Sequence, residues 1–354
     1  MTARVYVHVG PHKTGTTYLQ GLLMANRERL AEQGVLYPRR TFRAQGRAVK
    51  DALGRSTVPA TGQPVDGEWA RLVGEVQEWE GPLAVVSHEM LAGAEPRQIR
   101  TLVRSLAKHE VHVVYTARDL ARVVPAMWQT ALRSKQPLTW EQYAAALREP
   151  EQAGKVAQSF WQSQDAPVAL QRWGRRVPTE HLHVVTVPRP GSPPELLWHR
   201  FCEPVGIDPT GHDLEPKRSN PSLGTAEAEL LRRLNAELKG SGIDATGWLY
   251  WVRWLGRALE RREGMQKFTL PADDLDWVSG RARQVVDGLR AGGYPVVGDL
   301  DDLLPQPVPE ARAHHPSDTT PEATLDVAVE ALRHLMSELA PHKAGSHGNR
   351  GSDD

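Results

Sequence analysis

The sequence predicts an α/β protein, a three-layer fold in which helices flank a parallel sheet, with a helical extension at the C-terminal end. Three observations lead there. Short β-branched runs occur at 5–9, 82–87, 111–116 and 182–187. Between the first three lie stretches with apolar residues at helical spacing, and strands alternating with helices make a parallel sheet covered on both faces. The region from about 216 to 300 is mainly helical by pattern.

Val5, Val7 and Val9 form the first strand, which ends at Gly10. Leu19, Leu22, Leu23 and Leu30 then mark one helix over 17–33, with Gly34 as its C-cap. Residues 39–66 are polar and punctuated by Gly and Pro, and read as a surface loop. Asp66 caps a helix over 67–80 whose stripe is Trp69, Leu72, Val73, Val76 and Trp79. The second strand runs to Ser87, a helix follows near 96–109, and the third strand ends at Thr116. A helix over 119–134 comes next, and the fourth strand covers 182–187. Trp248, Trp251 and Trp254, three residues apart, read as packing residues. Residues 305–323 read as a linker, before a short amphipathic helix with the stripe Leu325, Val329, Leu332, Leu335, Met336 and Leu339 and a disordered tail. The domain expectation is an α/β core over 1–215, a helical part over 216–304 packed on it, and linker, helix and tail over 305–354.

Composition narrows the partners. With 354 residues the chain can bury a full core, and 43 basic residues balance 43 acidic ones. No net field therefore draws in nucleic acid or a membrane surface. A single cysteine, Cys202, rules out an internal disulfide framework and favours a reducing compartment. The first strand starts at once, leaving no room for a leader peptide, and no apolar run reaches membrane-spanning length. A cytoplasmic location is expected. The histidines show no metal-ligand spacing, with His181 and His183 on a strand and His314–His315 in the linker, so no metal is expected.

Function is concentrated in the loop after the first strand. Strand, Gly10, Pro11-His12-Lys13-Thr14 and then Gly15-Thr16-Thr17 opening a helix together make an anion site. Its unbonded N–H groups and helix dipole favour a phosphate. Gly10 and Gly15 fit the glycines of G-x-x-x-x-G-K-[ST], but Thr16 stands where that motif has Lys, and the loop's Lys is Lys13. The chain carries nine Lys against thirty-four Arg, and a compact ammonium suits a single leaving-group oxygen. The pattern H-x-G-x-x-K-T-G-T-T-x-L-Q, His8 to Gln20, resembles the phosphosulfate loop of sulfotransferases that use 3′-phosphoadenosine 5′-phosphosulfate (PAPS).

The resemblance covers residues 1 to about 210 and implies a P-loop-like fold and a sulfuryl transfer from PAPS to a hydroxyl or amine of a carbohydrate or small-molecule acceptor. It implies that His12, Lys13, Thr14, Gly15, Thr16 and Thr17 hold the donor, with Lys13 neutralising the oxygen between phosphate and sulfate. In the family an Arg directly after the third strand and a Ser eight positions on hold the 3′-phosphate. Arg118 matches the Arg, while Ala126 occupies the Ser position, with Thr130 or Ser134 as substitutes. A basic loop late in the chain closes over the nucleotide in such enzymes, and Arg218, Asn220 and Ser222 are its candidates, or a plain helix cap.

The acceptor proton needs a base. Relatives use His or Glu at the end of the second strand, and this chain has both His88 and Glu89. Neighbours leaving a strand point to opposite sides, so one of the two faces the crevice. Ser87-His88-Glu89 is similar to the bacterial and carbohydrate branch, which favours Glu89. Two other readings remain open: a phosphotransferase on a P-loop fold, and a non-catalytic binder of a 3′-phosphonucleotide.

Overall fold

The structure, a computed structural model, describes residues 4–58, 61–150, 154–215, 222–239, 241–242, 245–259, 262, 264–306 and 315–339. In chain order its elements are β1 (Arg4–His8), α1 (Thr16–Ala25), α2 (Arg27–Glu32), β2 (Val35–Leu36), α3 (Phe42–Ala52), α4 (Glu68–Glu78), β3 (Leu83–Ser87) and α5 (Pro96–Ser105). There follow β4 (Glu110–Ala117), α6 (Leu120–Arg133), α7 (Trp140–Arg148), α8 (Lys155–Gln164), α9 (Ala166–Gly174) and β5 (Leu182–Thr186). The rest comprises α10 (Leu196–Val205), α11 (Thr225–Glu237), α12 (Ala245–Leu259), α13 (Ala272–Gly292), β6 (Val296–Val297) and α14 (Pro321–Leu339).

The strands form one parallel sheet in the order β2-β3-β1-β4-β5-β6. The chain builds β2 and β3 on one side of β1 and β4 to β6 on the other. Strand order thus reverses at β1, and a ligand crevice forms outside the carboxyl ends at such a point. There the loops after β1, β3 and β4 lie side by side, with His8 opposite Ser87 on one neighbour and Val114 on the other.

Strand alternation sorts the core into two layers. Val5 and Val7 face one layer with Val86, Val113 and Tyr115, covered by α3 to α9 and α13. Tyr6, Val85, Val114 and Val185 face the other with Leu19, Leu22 and Leu23 of α1 and Trp198 and Phe201 of α10. Helices α11 and α13 pack on α6, and α14 lies on α11 and α12. Among the described residues no helix is long and apolar enough to cross a membrane.

Several elements differ from the sequence expectation. The helix over 17–33 is two helices, because Asn26 leaves helical geometry and its amide bridges Leu22 O and Asp213 O, each at 2.9 Å. The segment 39–66 is no plain loop, since α3 fills 42–52, capped by the Thr41 hydroxyl. Its buried face is Gln45, Gly46, Ala48, Val49 and Ala52, too small and polar to advertise a stripe. Helix α4 is entered through Gly67 at φ 78°, with no side-chain cap from Asp66. The two-residue strands β2 and β6 give no periodic signal. Trp248 and Trp254 are buried as expected, while Trp251 is 39% exposed. Helix α14 exists, but it docks through Thr324, Val327 and Ala331. Leu325, Val329, Leu332, Met336 and Leu339 face outward. The tail beyond 339 and His314 lie outside the described residues.

Candidate active site

The loop from Gly10 to Gly15 is held from within. Thr14 Oγ1 donates to Pro11 O at 2.8 Å and lies 2.8 Å from the Thr116 hydroxyl of β4. Thr16 Oγ1 lies 3.1 Å from both Gly10 O and Pro11 O. Both side chains are buried, so their hydroxyls shape the loop. What faces outward is the backbone: the helix's first bond is Leu19 N–H to Gly15 O at 3.0 Å, so the amides of Thr16, Thr17 and Tyr18 precede it. Gly10 is required, since a Cβ there would sit 1.9 Å from Thr116 Oγ1. Gly15 sits at φ 85°, and its Cβ would meet Leu197 Cδ2 at 2.4 Å.

Lys13 adopts φ 69°, a left-handed conformation that costs a non-glycine residue about 1–2 kcal/mol. The surroundings enforce it: Arg118 Nη1 donates to Lys13 O at 2.7 Å, and Gln164 Nε2 donates to His12 O at 2.8 Å. Two side chains from outside the loop thus grip consecutive carbonyls. Burial, then the nearby Arg133 and Arg118 cations, push the Lys13 ammonium down to about 8. Among the described residues it forms no ion pair with a carboxylate.

His8 ties the sheet together beneath the loop. Its Nδ1 lies 2.7 Å from Ser87 Oγ and its Nε2 3.3 Å from Thr116 Oγ1. Burial lowers it to about 3, so it is a neutral brace across β3, β1 and β4.

At the end of β3 the strand alternation stops at Ser87, because Glu89 already opens a short 3₁₀ turn over 89–93. His88 and Glu89 therefore converge, against the expected divergence: His88 Nδ1 lies 3.7 Å from Glu89 Oε2. His88 Nδ1 also accepts from Met90 N–H at 3.2 Å, which leaves the ring proton on Nε2, facing Gly46 of α3. Burial keeps His88 below its ordinary value. Burial pushes Glu89 up, but the neighbouring His88 and His12, its own backbone and Gln20 outweigh it and hold the carboxyl below its ordinary value. Gln20 Nε2 reaches Glu89 Oε2 and Ser87 O, each at 3.3 Å. His88 thus caps the turn that Glu89 opens, and the two side chains lie together at the end of β3.

Asp119 follows Arg118 in the chain and is the nearest carboxylate in sequence to it and to Arg122. It caps α6 by accepting from Ala121 N–H at 2.8 Å, and Arg122 donates to Pro188 O at 3.2 Å. Burial, then Arg122, bring Arg118 down to about 10, so it stays charged at neutral pH. Its Nε is buried with no hydrogen-bond partner among the described residues. On α6, Thr130 donates back to Ala126 O at 3.0 Å and Ser134 is the exposed C-cap residue. Neither replaces the missing serine. The same helix instead brings Arg133 near Lys13, a residue the sequence did not single out. Lys50 of α3, close enough to Glu89 to feel its charge, and Gln20 were also missed. Arg218 and Asn220 lie outside the described residues, and Ser222 is exposed.

At the carboxyl end of the sheet Lys13 thus feels the charges of Arg133 and Arg118, and Lys50 that of Glu89, while Asp119 adds a second carboxylate beside Arg118. A cluster in which cations outnumber carboxylates suits an anionic substrate.

No protein-family model matches the chain, and no curated protein matches it. Two solved structures are similar to it. A sulfotransferase from Alicyclobacillus acidocaldarius matches at 12% identity over 71% of this chain and 96% of its own, with a TM-score of 0.42. A sulfotransferase domain from the curacin biosynthetic pathway matches at 10% identity over 84% of this chain and 99% of its own, with a TM-score of 0.38. Both are likenesses at TM-scores below 0.5, and the chemistry of this chain has to be read from its own residues.

Proposed function

We propose that this chain is a sulfotransferase that moves a sulfuryl group from PAPS to a hydroxyl or amine of a carbohydrate or small-molecule acceptor. One observation carries the reading. Lys13 is half-buried, unpaired with any carboxylate among the described residues, and held in a left-handed conformation at a helix N-terminus, while Glu89 waits at the end of the adjacent strand. A half-buried cation facing an anion cradle without its counter-charge is a site built for an anionic leaving group.

The acceptor oxygen or nitrogen attacks sulfur as the bond from sulfur to the bridging oxygen breaks, and 3′,5′-ADP leaves. The amides of Thr16 and Thr17, with the Thr17 hydroxyl, hold the 5′-phosphate, and His12, Thr14 and Gly15 shape that cradle. Lys13 stabilises charge growing on the bridging oxygen. Glu89 takes the acceptor proton, so charge balances across the transfer. Arg118, already turned onto the loop, binds the 3′-phosphate with its remaining donors, a fork suited to phosphate. Nothing in this sequence of steps requires a metal. The buried thiol Cys202 suits a reducing, cytoplasmic setting.

Calorimetry tests the donor. 3′,5′-ADP should bind more tightly than 5′-AMP, and Arg118→Ala should erase that preference. Equal affinities in the native protein would sink the PAPS assignment, and magnesium-dependent ATP turnover would replace it with a phosphotransferase. Binding of 3′,5′-ADP without turnover across a panel of hydroxyl and amine acceptors would leave a nucleotide-binding protein.

A further inference from the structure

Exposed apolar surface is concentrated at one end of the molecule. Among the described residues, seven of the nine large apolar side chains classed as exposed lie on α12 and α14. On α14 these are Leu325, Val329, Leu332, Met336 and Leu339, each between 56% and 74% exposed. Their spacing is four, three, four, three, the period of a coiled-coil seam. The opposite face of α14 is firmly docked: Val327 and Ala331 are buried, Arg262 reaches Glu330 at 3.1 Å, and Trp254 donates to Glu338 at 2.7 Å. Tyr250 and Trp251 of α12 are exposed as well, with Trp251 edge-on to Trp254 at 5.9 Å between ring centres. Among the described residues, α14 therefore presents an apolar seam that nothing covers.

We propose that this seam is a homodimer interface, in which α14 pairs antiparallel with α14 of a second copy about a two-fold axis. Self-pairing follows from symmetry and charge. An axis passing between Val329 and Leu332 sets Val329 against Leu332 of the partner subunit and Leu325 against Met336 of the partner subunit, an isologous contact. The same alignment brings Asp326, on the edge of the seam, towards Arg333 of the partner subunit, and the reverse, so the rim charges complement each other. Together the five seam side chains expose on the order of 600 Å², the low end of what one partner contributes to a stable interface. A membrane surface fits less well. Glu322, Asp326, Glu330 and Glu338 outnumber Arg333 on this helix, whereas interfacial helices are rich in Lys and Arg.

Sedimentation equilibrium of the full chain tests this. The expected result is a dimer whose dissociation constant rises roughly 100-fold in Leu332→Glu/Met336→Glu, a pair that leaves the docked face intact. Unchanged thermal unfolding and circular dichroism in that variant separate lost association from lost fold. Asp326→Arg and Arg333→Asp should each weaken the dimer by roughly 2–5-fold, and the double reversal should restore it. A monomer at about 100 µM overturns the proposal. So does a dimer that survives the glutamate pair, or a monomer recruited by phosphatidylserine vesicles.

Discussion

Replacing Lys13 by Met keeps the bulk of the side chain and removes its charge, and two effects of opposite sign follow. The ammonium is held at about 8 against an ordinary 10.5. At pH 7 the charged form is therefore disfavoured in the fold by about 3 kcal/mol, a sizeable share of a typical total stability. Lys13→Met should raise stability by that amount. The sign fixes the pH window. Below about 8 both folded and unfolded chains carry the proton and the penalty is complete. Between 8 and 10.5 the unfolded chain binds more protons, so the native protein gains stability as pH rises and the advantage of the variant shrinks. Chemical denaturation of both proteins at pH 7 and above pH 10 measures the gap at each end. Turnover should move the other way: losing a positioned charge on the leaving oxygen costs roughly 10²–10³-fold. A variant no more stable than the native protein at pH 7, or a gap of the same size above pH 10, would refute the reasoning. Unchanged sulfuryl turnover would remove Lys13 from the chemistry.

Glu89→Gln should lower turnover by roughly 10²-fold or more while 3′,5′-ADP still binds; full activity would disqualify it as the base. Because its neighbours hold the Glu89 carboxyl below the ordinary 4.5, activity and the stability it contributes should persist through mildly acidic pH and fall only as pH drops beneath that value, read from a pH–rate profile. Gly15→Ala should cost about 1–2 kcal/mol for its φ of 85°, with more from the overlap on Leu197. Adding Leu197→Ala should recover only the second part in thermal unfolding, and complete recovery would mean the backbone angle carries no strain.

The strands beside the site were legible because a central parallel strand is buried on both faces and must be apolar throughout, as Val85, Val86, Val113 and Val114 are. Two-residue edge pairs such as β2 and β6 carry no such requirement. Helix α3 hid because its buried face is made of Gly, Ala and Gln, and its Lys50 hid with it. Lys13, Arg118 and Glu89 were singled out through the resemblance, which was legible because each candidate sits just beyond a strand whose end meets the crevice. Gln20 closes the loop pattern, but its reach to Glu89, like that of Arg133 to Lys13, comes from a helix face fixed only by packing. In α14 periodicity found the apolar stripe but not its direction, because a pattern does not say which side the rest of the chain occupies.

His8 has a consequence of a different kind. By joining Ser87 and Thr116 across β1, it makes the donor loop and the approach to Glu89 parts of one rigid plate. On the proposed chemistry, the spacing between leaving group and base is then a property of the sheet. Helix α3, against which His88 leans and from which Lys50 reaches in, is tied to that plate where Ser87 N–H donates to Gln45 Oε1 at 3.2 Å. Substitution of Lys50, which takes no part in that bond, should therefore retune which acceptor is admitted without disturbing the distance over which the group is passed.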